Sequence, residues 1–383
     1  MPRVSEISND FSESLVHKIA VQARELEAVN LAQPLPDAEV PAALKKRAVS
    51  AINSNRNQID DIRGLAALRE AVAYRYEQTH GLRIESEDHI TITSGATEGL
   101  LASLLAVVDP GDEVIVFEPS FPNYRPQILM ARGVPVYVPI DLETGAFDPK
   151  TLANAFSEKT AAIIICNPSN PGGKVFSRAE LETIAQLCVR HDVVAIGDES
   201  YEYFVYDERK HVCLGSIDDF RDRSIVITSC SKTYMATGWR VGAALCSMQL
   251  SKALRRCHEF IAGPAPTPFQ EAAAAAFRAD DSYYQALREL FERKRGLLAD
   301  ILSDAGFSCI LPQGAWFITA DMSSFDFKDA AAFCVYMLKD VGVAAVPYGA
   351  FYSGSGQRQT KIRFSFSRSE RVIEDAGRRL KRL

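Results

Sequence analysis

Between residues 89 and 246 the chain repeats one pattern: a short β-branched or apolar run, a turn, a stretch of helical periodicity, then another run. The runs fall at 89–93, 113–118, 134–140, 161–166, 193–197, 225–228 and 242–246. A strand can pair in parallel with its predecessor only if the chain crosses back over the sheet, so this alternation is the pattern of an α/β fold. It predicts a mostly parallel, seven-stranded sheet flanked by helices. After about Pro268 the pattern shifts to long helices over 271–277 and 283–305, then strands around Phe317 and Ile362, then a closing helix over 369–383. The expected organisation is a large domain over 46–270 and a smaller α+β domain built from both termini, 1–45 and 271–383. A chain of 383 residues, 47% hydrophobic, is long enough for two such cores. Before the first run, residues 11–26 read as a helix, Pro34, Pro36 and Pro41 break regular structure, and Leu65, Leu68, Val72 and Tyr76 mark an amphipathic helix that ends at Gly81.

Charge narrows the function classes. The net charge of −6 gives no broad attraction for nucleic acid or an anionic membrane, and no apolar run is long enough to span a bilayer. The eight cysteines stand singly, without a C-x-x-C pair, and read as reduced core residues; no metal is expected. The first fifteen residues lack an apolar signal core, so a cytoplasmic small-molecule enzyme is expected.

Open α/β sheets bind ligands at the carboxyl ends of their strands, and the reactive residues of this chain cluster there. After the 225–228 run comes SCSKTYMATGWRVG, in which Ser229 and Lys232 stand at the strand mouth and Arg240 follows among glycines. A lysine beside a fork-shaped cation suits an aldehyde cofactor that carries a phosphate. Ser94, Gly95, Ala96 and Thr97 lie between a strand and a helix, where backbone N–H groups converge on an anion; a simple N-cap is the other reading. Phe121, in EPSFPNY, offers a flat wall for a flat ligand or a core side chain in a proline-rich turn. NPSNPGG, residues 167–173, locks a loop and fixes the Asn170 amide. Asp198 and Tyr201, in DESY, follow a buried strand where a carboxylate needs a cationic partner; an acidic surface turn is the alternative. Arg363 interrupts the alternating strand KIRFSFS, as a carboxylate grip or as a structural ion pair.

Taken together, in order and spacing, these motifs resemble those of the class I/II aminotransferases, the fold type I, pyridoxal-phosphate-dependent relatives of aspartate and kynurenine aminotransferases. The resemblance implies pyridoxal 5′-phosphate as cofactor and exchange of amino groups between an amino acid and a 2-keto acid. It implies that Lys232 carries the cofactor and serves as general base, with Asp198 holding the protonated ring nitrogen. Asn170 and Tyr201 would share the phenolic oxygen and Phe121 would cover the ring face. Gly95, Ala96, Thr97, Ser229 and Arg240 would hold the phosphate. Arg363, with Asn170 and the wall near Ala32, would receive the substrate. A homodimer with composite active sites is implied as well.

The chain departs from that pattern in two places. The opening L-G-x-G-x-P-D reads here Leu31, Ala32, Gln33, Pro34, Leu35, Pro36, Asp37, without either glycine. In the loop 57–64, Ile59 stands where relatives carry a tyrosine that reaches the partner's phosphate, followed by Asp60 and Asp61. Two carboxylates near a phosphate raise an alternative: an elimination, replacement or cyclisation enzyme acting on a cationic amino acid. A nicotinamide dehydrogenase lacks its G-x-G-x-x-G after a strand, and a DNA-binding regulator lacks a basic helix-turn-helix segment.

Overall fold

The computed structural model describes residues 4–11, 13–354 and 360–383. The seven expected strands are present: β1 (Ile90–Thr93), β2 (Glu113–Glu118), β3 (Val134–Pro139), β4 (Thr160–Cys166), β5 (Val194–Asp198), β6 (Ser224–Ser229) and β7 (Gly242–Cys246). They form one sheet in the order β1-β7-β6-β5-β4-β2-β3. All neighbouring pairs are parallel except those of β7, which runs antiparallel to both β1 and β6.

The strands are apolar at nearly every position because both faces of the sheet are covered. Ile115, Ile163, Ile165, Ala195 and Val226 point into one core, whereas Val116, Ile164, Ile196, Ile225 and Ile227 point into the other. Each such buried branched side chain contributes about 2 kcal/mol. Helix Ala96–Val107 packs with Met248–Ile261, and Ala66–His80 packs with Thr267–Ala276. On Ala66–His80 two arginines are buried as well as the apolar positions: Arg69 reaches Glu87, and Arg75 lies 4.4 Å from the Tyr284 ring centre.

The C-terminal part holds a second sheet of β8 (Ser308–Ile310), β9 (Phe317–Asp321), β10 (Val346–Pro347) and β11 (Lys361–Ser365), ordered β10-β11-β9-β8 and antiparallel throughout. Helices Asp281–Asp304 and Glu370–Leu380 pack together beside it, over a core that includes Trp316, Phe291, Phe364 and Leu298. The N-terminal chain joins this part: Val29–Asn30 pairs in parallel with Val343–Ala344, after helix Leu15–Glu25. No helix among the described residues is long and apolar enough to cross a membrane. All eight cysteines are free thiols, and no group of metal-ligating side chains occurs among the described residues.

Candidate active site

The sheet order brings three separate stretches to one point. β7 lies between β1 and β6, with Gly242 opposite both Thr93 and Ser229. Because β7 is antiparallel, the chain just before it, with Arg240, lies at the edge where β1 and β6 end. The approach is close enough to exclude side chains. A Cβ on Gly242 would stand 2.8 Å from the Gly95 carbonyl carbon and 2.9 Å from the Ala96 nitrogen. Gly95 has φ +78°, and a Cβ there would stand 2.5 Å from Nη2 of Arg240. The Arg240 guanidinium therefore rests on the first residues of helix Ala96–Val107, steered by the Thr237 carbonyl at 3.0 Å and Ser231 Oγ at 3.5 Å. That helix starts without a side-chain cap, so its first N–H groups remain free for a ligand.

Lys232 is the third residue of a short helix, Cys230–Thr233, that follows β6 directly and is capped by Ser229 Oγ accepting from the Ser231 N–H. Its Nζ donates to the Pro34 carbonyl at 3.2 Å and stands 5.2 Å from the Trp316 ring centre and 5.6 Å from that of Tyr201. Burial pushes the amine down from 10.5 to about 8; Arg363 and Arg240 push the same way, against Asp198. At pH 7 roughly one molecule in ten then has a neutral amine, against about one in a few thousand for a free lysine.

Asp198 ends β5, between Cys166 of β4 and Ile227 of β6. The Tyr124 hydroxyl donates to its Oδ2 at 2.8 Å and the Ser200 hydroxyl to its Oδ1 at 2.7 Å. Two neutral donors orient the Asp198 carboxyl group and bring no charge of their own to it.

Arg363, on β11, is 1% exposed. Nη1 donates to Asn170 Oδ1 and Nη2 to the Ala32 carbonyl, each at 2.8 Å, and the Phe317 and Phe351 ring centres lie 4.3 and 4.6 Å from the guanidinium carbon. Its Nε is buried without a partner, and it makes no ion pair among the described residues. Burial lowers its pKa to about 10, which still leaves it charged at neutral pH. A buried, oriented cation of this kind lacks an anion. Asn170 Oδ1 is committed to Arg363, which leaves its two amide N–H donors for a ligand oxygen.

Ala96, Thr97, Phe121, Asn170, Asp198, Tyr201, Ser229, Lys232, Arg240 and Arg363 line one cavity of about 410 Å³. Gly95 and Ala32 lie behind its wall: Gly95 supports Arg240, and Ala32, fully buried, supplies a carbonyl rather than a surface. Sequence reasoning missed Tyr124, Ser200, Ser231 and Trp316. Tyr124 stands three residues after Phe121 and packs edge-on against it at 5.6 Å, so helical spacing in EPSFPNY was an available signal. Trp316 gave none. The N-terminal residues Ser14, Val16 and His17 also line the cavity.

The alternative of a cationic substrate loses its motive here. Arg63 holds the Asp61 carboxyl below its usual range through contacts of 2.6 and 3.0 Å, and Arg69 approaches it at 3.5 Å. Asp60 is mostly exposed, 3.6 Å from Arg56. The charge near Ile59 is thus answered within the chain, and no substrate cation is needed to balance it.

The sequence profile of aminotransferase class I and II matches residues 27–380. The methionine aminotransferase of Escherichia coli K12 is 31% identical over 96% of this chain and 95% of its own. A probable N-succinyldiaminopimelate aminotransferase of Mycobacterium tuberculosis is 33% identical over 97% and 96%. The solved structure of the N-succinyldiaminopimelate aminotransferase from Mycobacterium tuberculosis covers 99% of both chains with a TM-score of 0.96 at 32% identity.

Proposed function

Because the chain belongs to the class I and II aminotransferase family, we propose that the cavity around Lys232 is where it exchanges amino groups between an amino acid and a 2-keto acid. Aminotransfer and the use of pyridoxal 5′-phosphate come with that membership; the assignment of residues is our reading. When bound, the cofactor supplies an aldehyde for the substrate amine and a ring that withdraws electrons from the substrate Cα.

The residues fit that group. The uncapped helix start at Gly95, Ala96 and Thr97, with Arg240, Ser229 and Ser231, offers backbone donors, hydroxyls and one fork for a phosphate. Asp198, steadied by Tyr124 and Ser200, holds a proton on the ring nitrogen. The Asn170 amide and the Tyr201 hydroxyl would donate to the phenolic oxygen, and Phe121 would cover a ring face. Lys232 Nζ, whose proton burial loosens, would hold the cofactor aldehyde and, once free of it, would be the base placed to take a proton from the substrate Cα. Arg363 grips the α-carboxylate, and Asn170 and the Ala32 carbonyl orient its fork.

The observation that carries this reading is Arg363: a buried guanidinium without a counter-anion, lining the same cavity as a desolvated lysine. It also bounds the substrate. Among the described residues of the cavity, the lysines and arginines are Lys232, Arg240 and Arg363, and each already has a task. The remaining wall includes Val16, Pro34, Leu35 and Pro122. The favoured donor is therefore an amino acid with an uncharged, largely apolar side chain. The relative named for methionine agrees with that choice, whereas the one named for N-succinyldiaminopimelate, a donor with distal carboxylates, does not. Screening methionine, phenylalanine and leucine against aspartate, lysine and arginine, with keto acid and ammonia both measured, tests it. Keto acid from the neutral set is expected; a preference for charged donors, or ammonia as the main product, would overturn it.

The finer organisation belongs to the same proposal. Residues 46–270 form a cofactor-binding domain, and 1–45 with 271–383 a smaller domain that carries Arg363. The enzyme works in the cytoplasm as a homodimer whose partner completes each site, as the exposed Ile59 and Phe260 suggest.

A further inference from the structure

A second cavity, of about 320 Å³, opens beside helix Ala66–His80 and shares no residue with the one around Lys232. Its charges do not balance. Arg75 pairs with Asp281 at 2.8 Å, and His80 Nε2 lies 3.2 Å from the Glu202 carboxylate. Thr228 and Tyr76 also donate to the Glu202 carboxylate. Arg209, Lys210 and Arg288 line the same cavity from its exposed rim, and none of the three makes a salt bridge among the described residues.

Its inner wall holds His211 Nδ1, shielded from solvent and without a hydrogen-bond partner. The Tyr203 hydroxyl is shielded as well and has Thr79 as its polar neighbour. The His211 side chain is 5% exposed, and its Nε2 faces Glu199 Oε2 at 2.9 Å. Burial opposes charge on that imidazole, yet Glu199 outweighs burial and the pKa is raised. Nδ1 of the same ring is buried and unpartnered, in a residue that lines the cavity. Lys210 and Arg288, without an ion pair among the described residues, Arg209, which also attracts Asp207, and the buried His211 Nδ1 together make the cavity attractive to an oxyanion.

We propose that this cavity binds a small multivalent oxyanion, a carboxylate or phosphate compound, held by Arg209, Lys210 and Arg288 with Tyr203 and His211 behind it. The bound anion lies two side chains from the cofactor site, because His211 is bonded to Glu199, the neighbour of Asp198 in sequence.

Inorganic phosphate and succinate, titrated separately by calorimetry into the enzyme saturated with pyridoxal phosphate, test the proposal in wild type and in a Lys210→Gln/Arg288→Gln double variant. Both substituted residues are exposed, so the fold and the basal transamination rate should be unchanged. A binding event weakened about tenfold or more in the variant supports the site. Its presence with phosphate alone, succinate alone or both tells which chemical source it takes. An Arg363→Lys enzyme should keep this event, which separates it from carboxylate binding beside Lys232. Equal affinity in wild type and variant, or no event below roughly 10 mM, overturns it.

Discussion

At the scale of single residues, burial is what gives ordinary side chains their chemistry here. The Lys232 amine, held at about 8 rather than 10.5, binds a proton less readily folded than unfolded. Between those values the unfolded chain carries the extra proton, so folding stability rises with pH across that window and the full cost remains below pH 8. Lys232→Met, in cofactor-free protein, should therefore be more stable than wild type by about 3 kcal/mol at pH 7, with the gap closing toward pH 10.5. Denaturant unfolding of both proteins at several pH values measures this; a gap independent of pH contradicts it. Arg363 is the opposite case, a cation kept charged despite burial. Arg363→Ala leaves the substrate carboxylate unpaired and strands Asn170 Oδ1 and the Ala32 carbonyl, so kcat/KM should fall by about 100-fold or more, equivalent to roughly 3 kcal/mol. Cofactor absorbance should persist, which distinguishes loss of substrate binding from collapse of the site. Unchanged kcat/KM would remove Arg363 from the mechanism.

At the scale of elements, the site depends on strand order. The antiparallel β7, inserted between β1 and β6, delivers Arg240 to the start of helix Ala96–Val107, and only glycine fits at the contact. Gly242→Ala forces its new methyl against backbone on both sides, at 2.8–2.9 Å, where no flexible side chain can yield. The expected result is a loss of about 1–3 kcal/mol in stability and a weaker hold on the phosphate of the cofactor. Cofactor titration and thermal unfolding check the two effects together; affinity and melting temperature both equal to wild type would show that the helix start does not rest on that strand. The short helix Tyr124–Met130 acts similarly, since it aims the Tyr124 hydroxyl at Asp198 from the next strand but one.

At the scale of the molecule, Ile59 is 74% exposed and Phe260 87% exposed, although each is large and apolar. The loop around Ile59 meets the end of helix Met248–Ile261, which carries Phe260, since a Cβ on Gly263 would lie 3.8 Å from Ile62 and His258 Nε2 lies 3.1 Å from the Ile62 carbonyl. In the proposed homodimer a second copy would cover this patch. Sedimentation should therefore give a particle of twice 42.2 kDa, and Phe260→Asp should shift it toward monomer with loss of activity. Full activity at the monomer mass would refute the dimer.

The sequence by itself determined the fold class, the seven strands and most of the chemical groups, because these are written locally. Strand periodicity, the prolines around Asn170 and the small residues around Lys232 each act within a few positions of themselves. Even the end of β5 was legible to within one residue, with Asp198 closing the strand rather than following it. Tertiary structure decided which groups meet. Arg363 reaches Asn170 across 193 positions, Tyr124 reaches Asp198 across 74, and Trp316 stands near Lys232 from the turn that leads into the second sheet. It also withdrew Asp61 from any substrate role by turning Arg63 and Arg69 upon it. Such pairings depend on strand order, register and the depth at which each side chain is buried, and none of these is a property of a short stretch of chain.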